Sequence, residues 1–346
     1  MSITLTCESN PGKSDRMNVR GKSYRAVWME GRNVVVIDQR LLPHQFKLLR
    51  LRNHRETAEA IRNMTIRGAG TIGATAAYGM AQAFLEGVAL SKAYETLVTT
   101  RPTAVDLKHA LDRVLIEAHD AKSAVAVAER IANEYVERMK RIAKIGLPLI
   151  PCKGRVLTHC NAGWLAIVDW GSATAPIYAA HRKGRGVFVW VDETRPRCQG
   201  AHLTSWELLN EGVPHKVIAD NAAGHFMRRG NVDLCIVGAD RIAANGDTAN
   251  KLGTYEKAVL AKENGIPFYI AAPSSTIDPH CPNGDAIPIE ERSEDEVHFI
   301  CGVRVTPRGA RATNPAFDVT PAKYITGIIT ERGILKPSEV RKLWKR

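Results

Sequence analysis

Four apolar runs beyond residue 150 lead straight into side chains that can do chemistry. VLTHC (156–160) continues as Asn161-Ala162-Gly163. VFVWVD (187–192) continues as Glu193-Thr194-Arg195. HKVIAD (215–220) ends at Asp220-Asn221, and DLCIVGA (233–239) ends at Asp240-Arg241. In open parallel α/β sheets, ligands bind beyond the carboxyl ends of the strands. Polar residues at four such ends are therefore expected to converge on one rim. A strand-end Asp is also a common turn or helix cap, and capping is expected to account for one or two of them.

Each of these residue types suggests a role. A cysteine after a strand, here Cys160, is ordinarily an inert buried thiol; on a rim it is a candidate reacting group. Asp240 follows the buried-looking run Ile236-Val237-Gly238-Ala239. Such a setting would desolvate the carboxyl and raise its pKa, making it a proton donor near neutrality. Ala243 to Asp247 reads as a turn, and the Asn250-Lys251 pair after it offers a lysine for phosphate. Gln199 and Gly200 open the segment after Asp192 and supply a neutral donor.

A second motif points elsewhere. Residues 67–74 read RGAGTIGA, and Gly68, Gly70 and Gly73 form G-x-G-x-x-G. A dinucleotide fingerprint follows a strand and opens a helix, whereas the ten preceding residues, RETAEAIRNM, read as helix. No acidic residue about 20 positions on sits at a convincing strand end. Two other readings remain. Small residues let two elements approach closely, or Arg67 and the amides of a helix start hold an anion.

The elements that must position these residues follow from periodicity. YRAVWME (24–30), NVVVID (33–38) and FKLLRL (46–51) predict short strands, with a hairpin turn at Gly31-Arg32. From His54 the period becomes helical, through ETAEAIRNM and GATAAYGMAQAFLEG, then over about 91–99, 106–119 and 121–144. Beyond Leu147-Pro148 a β-α-β-α rhythm sets in, with PFYIAA (267–272) as a fifth run, predicting a parallel sheet covered on both faces. The expected fold class is thus α/β. A mainly helical N-terminal domain with short strands covers 1–150, and a Rossmann-like domain covers 151–346. Residues 1–20 carry no periodic signal and are expected to be flexible.

Composition narrows the class. Of 346 residues, 45% are hydrophobic and 24% charged, ordinary for a soluble globular protein. No apolar run has the length of a membrane helix, and the polar N-terminus lacks a secretory apolar stretch. A cytoplasmic location is the expectation. The seven cysteines are scattered, with no C-x-x-C and no zinc-finger spacing, as for free thiols in a reducing compartment. The net charge of +12 raises nucleic acid as a partner. The excess, however, lies at the ends and on a helical stretch with Arg138, Lys140, Arg141 and Lys144, without interleaved aromatics. It reads as a solvated face, or as attraction for an anionic small substrate.

Taken together, THCNAG (158–163), VDETRPRCQGAHLTSWEL (191–208), GADRIAANGDTANKLGTYEKAVLA (238–261), APSSTID (272–278) and PAFDVTP (315–321) resemble the methylthioribose-1-phosphate isomerase family. IRGAGTIGATAAYG (66–79) and RPTAVDL (101–107) match it too, and the resemblance runs collinearly over about 20–335. Initiation factor 2B regulatory subunits and archaeal ribose-1,5-bisphosphate isomerase share that fold family. The resemblance implies a homodimer and an active site between the domains. It implies Cys160 and Asp240 as the catalytic pair, and Arg67, Gly68, Ala69, Arg101, Gln199, Asn250 and Lys251 as substrate-binding positions. It implies a phosphorylated pentose substrate and neither metal nor cofactor, with no nucleic acid or membrane partner. The alternatives are isomerisation of 5-deoxyribose 1-phosphate or ribose 1,5-bisphosphate, or a non-catalytic initiation-factor-like subunit. The sequence departs from the family pattern twice: Gly70 stands where a proline is usual, and Trp164 where a small residue is usual.

Overall fold

The computed structural model describes residues 16–101 and 104–343. The chain forms two compact units that do not divide at one point. One joins residues 162–171 to the N-terminal part up to residue 140. The other holds 141–161 and the chain from 172 onward.

In the first unit, strands Val27–Glu30, Asn33–Ile37 and Leu48–Leu51 form an antiparallel sheet, with Trp28 opposite Val35 and Val35 opposite Arg50. Gly31 takes the positive φ that the tight turn requires. Residues 1–15, most of the segment expected to be flexible, lie outside the described residues. Met17–Val19, however, pairs with Lys22–Tyr24 in a small ribbon. Strands of three residues are too short to show alternation in a sequence. Helices His54–Arg62, Ala69–Glu86, Leu90–Val98 and Val105–Glu117 follow, then Ala121–Gly146. Asn53 caps the first, its side chain accepting from the amides of Arg55 and Glu56. Every residue from Gly70 to Ala83 is buried. A helix apolar or small on all sides belongs at the centre of a unit.

The second unit is built on a seven-stranded sheet. Its order is Gly333–Leu335, Gly327–Thr330, Phe268–Ala271, Leu234–Val237, Arg155–Thr158, Phe188–Asp192 and His215–Ile218. All neighbours are parallel except the edge strand Gly333–Leu335. The five apolar runs all become strands. The last two strands, short and glycine-flanked, extend the sheet further than the sequence predicts. Leu157, Val237, Ile270 and Ile328 meet in one buried core. The polar turn at 243–247 is the bend of a hairpin between Arg241–Ala243 and Thr248–Lys251, which joins Ile277–Asp278 and Phe317–Thr320 in a second small sheet.

The strand order fixes where ligands belong. The chain runs outward from Arg155–Thr158 through Phe188–Asp192 to His215–Ile218. It then returns to the opposite flank at Leu234–Val237 and runs the other way. The reversal lies between Arg155–Thr158 and Leu234–Val237, which is where open α/β sheets leave a crevice at their carboxyl ends. Cys160 and Asp240 follow those two strands. Among the described residues, no helix is long and apolar enough to cross a membrane.

Candidate active site

Cys160 occupies a sharp turn just past its strand, at φ +64°. A side chain in this left-handed region costs about 1–3 kcal/mol and persists only where its surroundings hold it. Two threonines do so here. The Cys160 amide donates to Thr194 Oγ1 at 2.8 Å, and Thr204 Oγ1 donates to the Cys160 carbonyl at 2.6 Å. Thr194 is itself left-handed and donates to the Asp192 carbonyl at 3.0 Å. Asn161 is held by a buried carboxylate: its Nδ2 donates to Glu207 Oε1 at 3.0 Å, and Tyr178 donates to Glu207 Oε2 at 2.9 Å. The thiol remains partly exposed.

The loop after Asp192 closes on this turn. Gly200 lies so close to the Asp192 carbonyl that any Cβ there would overlap it. The backbone then makes a π-type turn over Gly200–Thr204 before the helix Ser205–Glu211, an irregularity frequent at functional sites. Gln199 starts this turn, 7% exposed, and its Oε1 has no hydrogen-bond partner among the described residues. A buried acceptor of that kind costs free energy unless something donates to it, and a sugar hydroxyl would.

On the other side of the strand-order reversal, the Asp240 amide donates to the Ala249 carbonyl at 2.9 Å. That bond sets Asp240 beside the strand carrying Asn250 and Lys251. Asn250 Nδ2 donates to Thr254 Oγ1 at 3.0 Å, and Lys251 Nζ to the Ala316 carbonyl at 2.8 Å, with the ammonium 4.8 Å from the centre of the Phe317 ring. Both side chains are buried. The dry setting expected for Asp240 is not found. It is exposed: the strand ends at Val237, Gly238 is still buried, Ala239 is half-buried and Asp240 reaches the surface.

Two of the expected rim acids serve the scaffold instead. Asp220 accepts from the amides of Thr194 and Arg195, both at 2.7 Å. Asp192 is fully buried beneath the turn and bonds His159 Nδ1 through Oδ2 at 2.9 Å. Burial is the largest influence on the Asp192 carboxyl and lifts it above the ordinary range, while the bond and charge of His159 and the charge of Lys257 pull it back. The ligand atoms of His159, Asp192 and Asp220 lie within 4.8 Å of one another, a spacing that could hold a metal ion. Their hydrogen bonds argue otherwise. His159 Nε2 meets the Leu252 carbonyl at 2.8 Å and must carry its proton there, and Nδ1 is already engaged by Asp192 Oδ2. Asp318, in the PAFDVTP motif, is also a cap, accepting from the amides of Gly253 and Tyr255.

The remaining expected positions lie in the first unit. Arg67, Gly68 and Arg101 are half-buried and Ala69 is exposed; Pro102 and Thr103 of the RPTAVDL motif fall outside the described residues. The glycines of 67–74 serve close packing. Gly68, at φ +85°, lies directly against Ala166; a Cβ on Gly70 would come within 2.6 Å of Ile167 Cγ2, and one on Gly73 within 2.6 Å of the Tyr135 hydroxyl. The Thr71 amide donates to the Ala166 carbonyl at 3.0 Å, and Thr71 Oγ1 donates to the Leu165 carbonyl at 3.0 Å. Trp164 is fully buried in the same segment. The two departures from the family pattern thus belong to one packed region, where Gly70 leaves room for the bulky segment starting at Trp164. Sequence reasoning missed the supporting residues Thr204, Glu207 and Lys257, whose only signal was a polar residue on an otherwise packed helix or turn.

Comparison with known proteins agrees with this layout. Residues 65–337 match the model of the initiation factor 2 subunit family. A methylthioribose-1-phosphate isomerase from Brucella anthropi is 50% identical, over 93% of this chain and 97% of its own. The solved 5-methylthioribose 1-phosphate isomerase from Pyrococcus horikoshii OT3 is 47% identical with a TM-score of 0.88, covering 94% of this chain and 96% of that one. Translation initiation factor eIF-2B subunit delta from A. fulgidus is 36% identical with a TM-score of 0.83, covering 92% and 100%.

Proposed function

The chain belongs to the initiation factor 2 subunit family, and we propose that within it this protein converts 5-methylthioribose 1-phosphate to 5-methylthioribulose 1-phosphate. It is a sugar-phosphate aldose-ketose isomerase of methionine salvage. The observation that carries this reading is its identity with isomerases of that name along nearly the whole chain, well above its identity with the initiation-factor subunit. The placement of Cys160 and Asp240 at adjoining strand ends, flanking the reversal of strand order, supports it independently.

The substrate is a furanose whose anomeric oxygen carries phosphate, so it does not open spontaneously to an aldehyde. Ring opening requires a proton on the ring oxygen, after which a hydrogen moves from C2 to C1. Asp240 is the proton donor in this scheme. Asp240 is exposed here, so apolar burial is not what prepares it as a donor. Cys160 acts at the reacting carbons, stabilising the transition state or shuttling a proton. Gln199 accepts a sugar hydroxyl. Arg67, Arg101 and Lys251 hold the phosphate, with Gly68, Ala69 and Asn250 completing the substrate contacts. A cytoplasmic homodimer is part of the proposal.

A panel of pentose 1-phosphates differing only at C5, assayed for ketose formation, tests the reading. The 5-methylthio compound is expected to turn over best. Exclusive turnover of ribose 1,5-bisphosphate would overturn the substrate, and inactivity on every member would favour an initiation-factor-like role. Asp240→Asn is expected to lower kcat by about 10²–10⁴-fold with KM nearly unchanged.

A further inference from the structure

We infer that His159 is a positioning residue, tying the Cys160 turn to the segment that carries Asn250 and Lys251. The inference rests on the reading of Cys160 as the reacting thiol. Its ground is the pair of acceptors on the ring. A backbone carbonyl can only accept, so Nε2, 2.8 Å from the Leu252 oxygen, must carry a proton. Nδ1 faces Asp192 Oδ2 at 2.9 Å. That oxygen also faces Lys257 Nζ at 3.8 Å, from a lysine with no exposed surface. The ring thus links the Leu252 carbonyl on one side to the buried Asp192 carboxyl on the other, with Lys257 beside that carboxyl.

The charges around the ring come from every element packed on it. Asp192 lies on one neighbouring strand, and Asp220 Oδ1 is 4.0 Å away past the next. Lys257 lies on the helix Thr254–Glu263 and also pairs with Glu256.

The consequence is mechanical. His159 adjoins Cys160 in the chain, Leu252 follows Lys251, and Asp192 supplies the carbonyl that Thr194 bonds while bracing the Cys160 amide. One ring therefore sets the register of three segments on which proposed site residues ride. Gly253 has no side chain where a Cβ would stand 3.1 Å from the ring. Misplacing reacting groups by about 1 Å costs roughly 10²-fold in rate.

The test has two arms. Nitrogen-15 NMR of the histidine-labelled wild-type protein is expected to show a bonded proton on His159 Nε2, the nitrogen that faces the Leu252 carbonyl. An unprotonated nitrogen there overturns the inference, whether or not the protein turns over any sugar phosphate. In kinetics, His159→Ala is expected to lower kcat about 10²-fold with KM little changed, and His159→Gln, which keeps a donor for the Leu252 carbonyl, to recover part of that loss. A folded His159→Ala with wild-type kcat overturns the positioning role. If that variant does not fold, the NMR arm and His159→Gln decide. Failure of the substrate reading would show separately, as a wild-type protein inactive on the whole C5 panel.

Discussion

Two left-handed turns, one in each unit, solve different problems. At Gly68 the backbone takes φ +85° because the start of a buried helix must lie directly against Ala166, and no side chain fits there. At Cys160 the backbone takes φ +64° with a side chain present. Glycine would make that turn without strain. A cysteine persists there because Thr194 and Thr204 bond both its amide and its carbonyl. The comparison teaches how to tell packing from chemistry. A strained turn filled by glycine meets a steric demand of the backbone, whereas one that keeps a reactive side chain and recruits bonds to hold it is organised around that side chain.

Substitutions can break or sharpen this contrast. The largest effect is expected from Cys160→Gly. It removes the proposed reacting thiol, so kcat falls by about 10²–10⁴-fold or more, yet it relieves the left-handed strain and raises stability by about 1 kcal/mol, the gain being reduced by the greater freedom of glycine in the unfolded chain. Denaturant melts alongside turnover assays check both. A Cys160→Gly protein less stable than wild type would show that the turn is not strained. Next comes Gly68→Ala, expected to lose about 3 kcal/mol through overlap with Ala166 and the positive φ, measured as a lower midpoint in urea. Near-neutral stability would mean that residues 162–171 yield easily and that the glycine is no steric requirement. The smallest is Thr204→Val, which keeps shape but removes the donor to the Cys160 carbonyl and the acceptor for Asn161. A loss of about 1–2 kcal/mol is expected, with a several-fold fall in kcat if the clamp holds the thiol in place. Unchanged kcat would separate the clamp from the chemistry.

The same residues show how far the sequence can be read. The strand runs ending at Cys160 and Asp240 were legible because a parallel strand buried on both faces must be apolar throughout, which is a local property. The helix was legible over 73–87 from its small residues, although it starts earlier, at Ala69. What the sequence could not carry were contacts between distant residues. Nothing in the linear order says that Thr204 bonds the Cys160 carbonyl, that His159 reaches Leu252, or that residues 162–171 pack in the unit opposite to their chain neighbours. Burial was misjudged for Asp240 because the preceding apolar run predicts the environment of the strand, while the side chain beyond its end answers to the loop.

By itself, then, the order of amino acids determined the class of fold, the inventory of reactive groups and the strand ends on which they ride, since these depend on periodicity and on what each side chain can donate, accept or bury. Only the tertiary structure decided which acids became scaffold, which glycines were steric and which groups brace the thiol. Those roles depend on partners far along the chain, and a partner's distance and direction exist only once the chain has closed on itself.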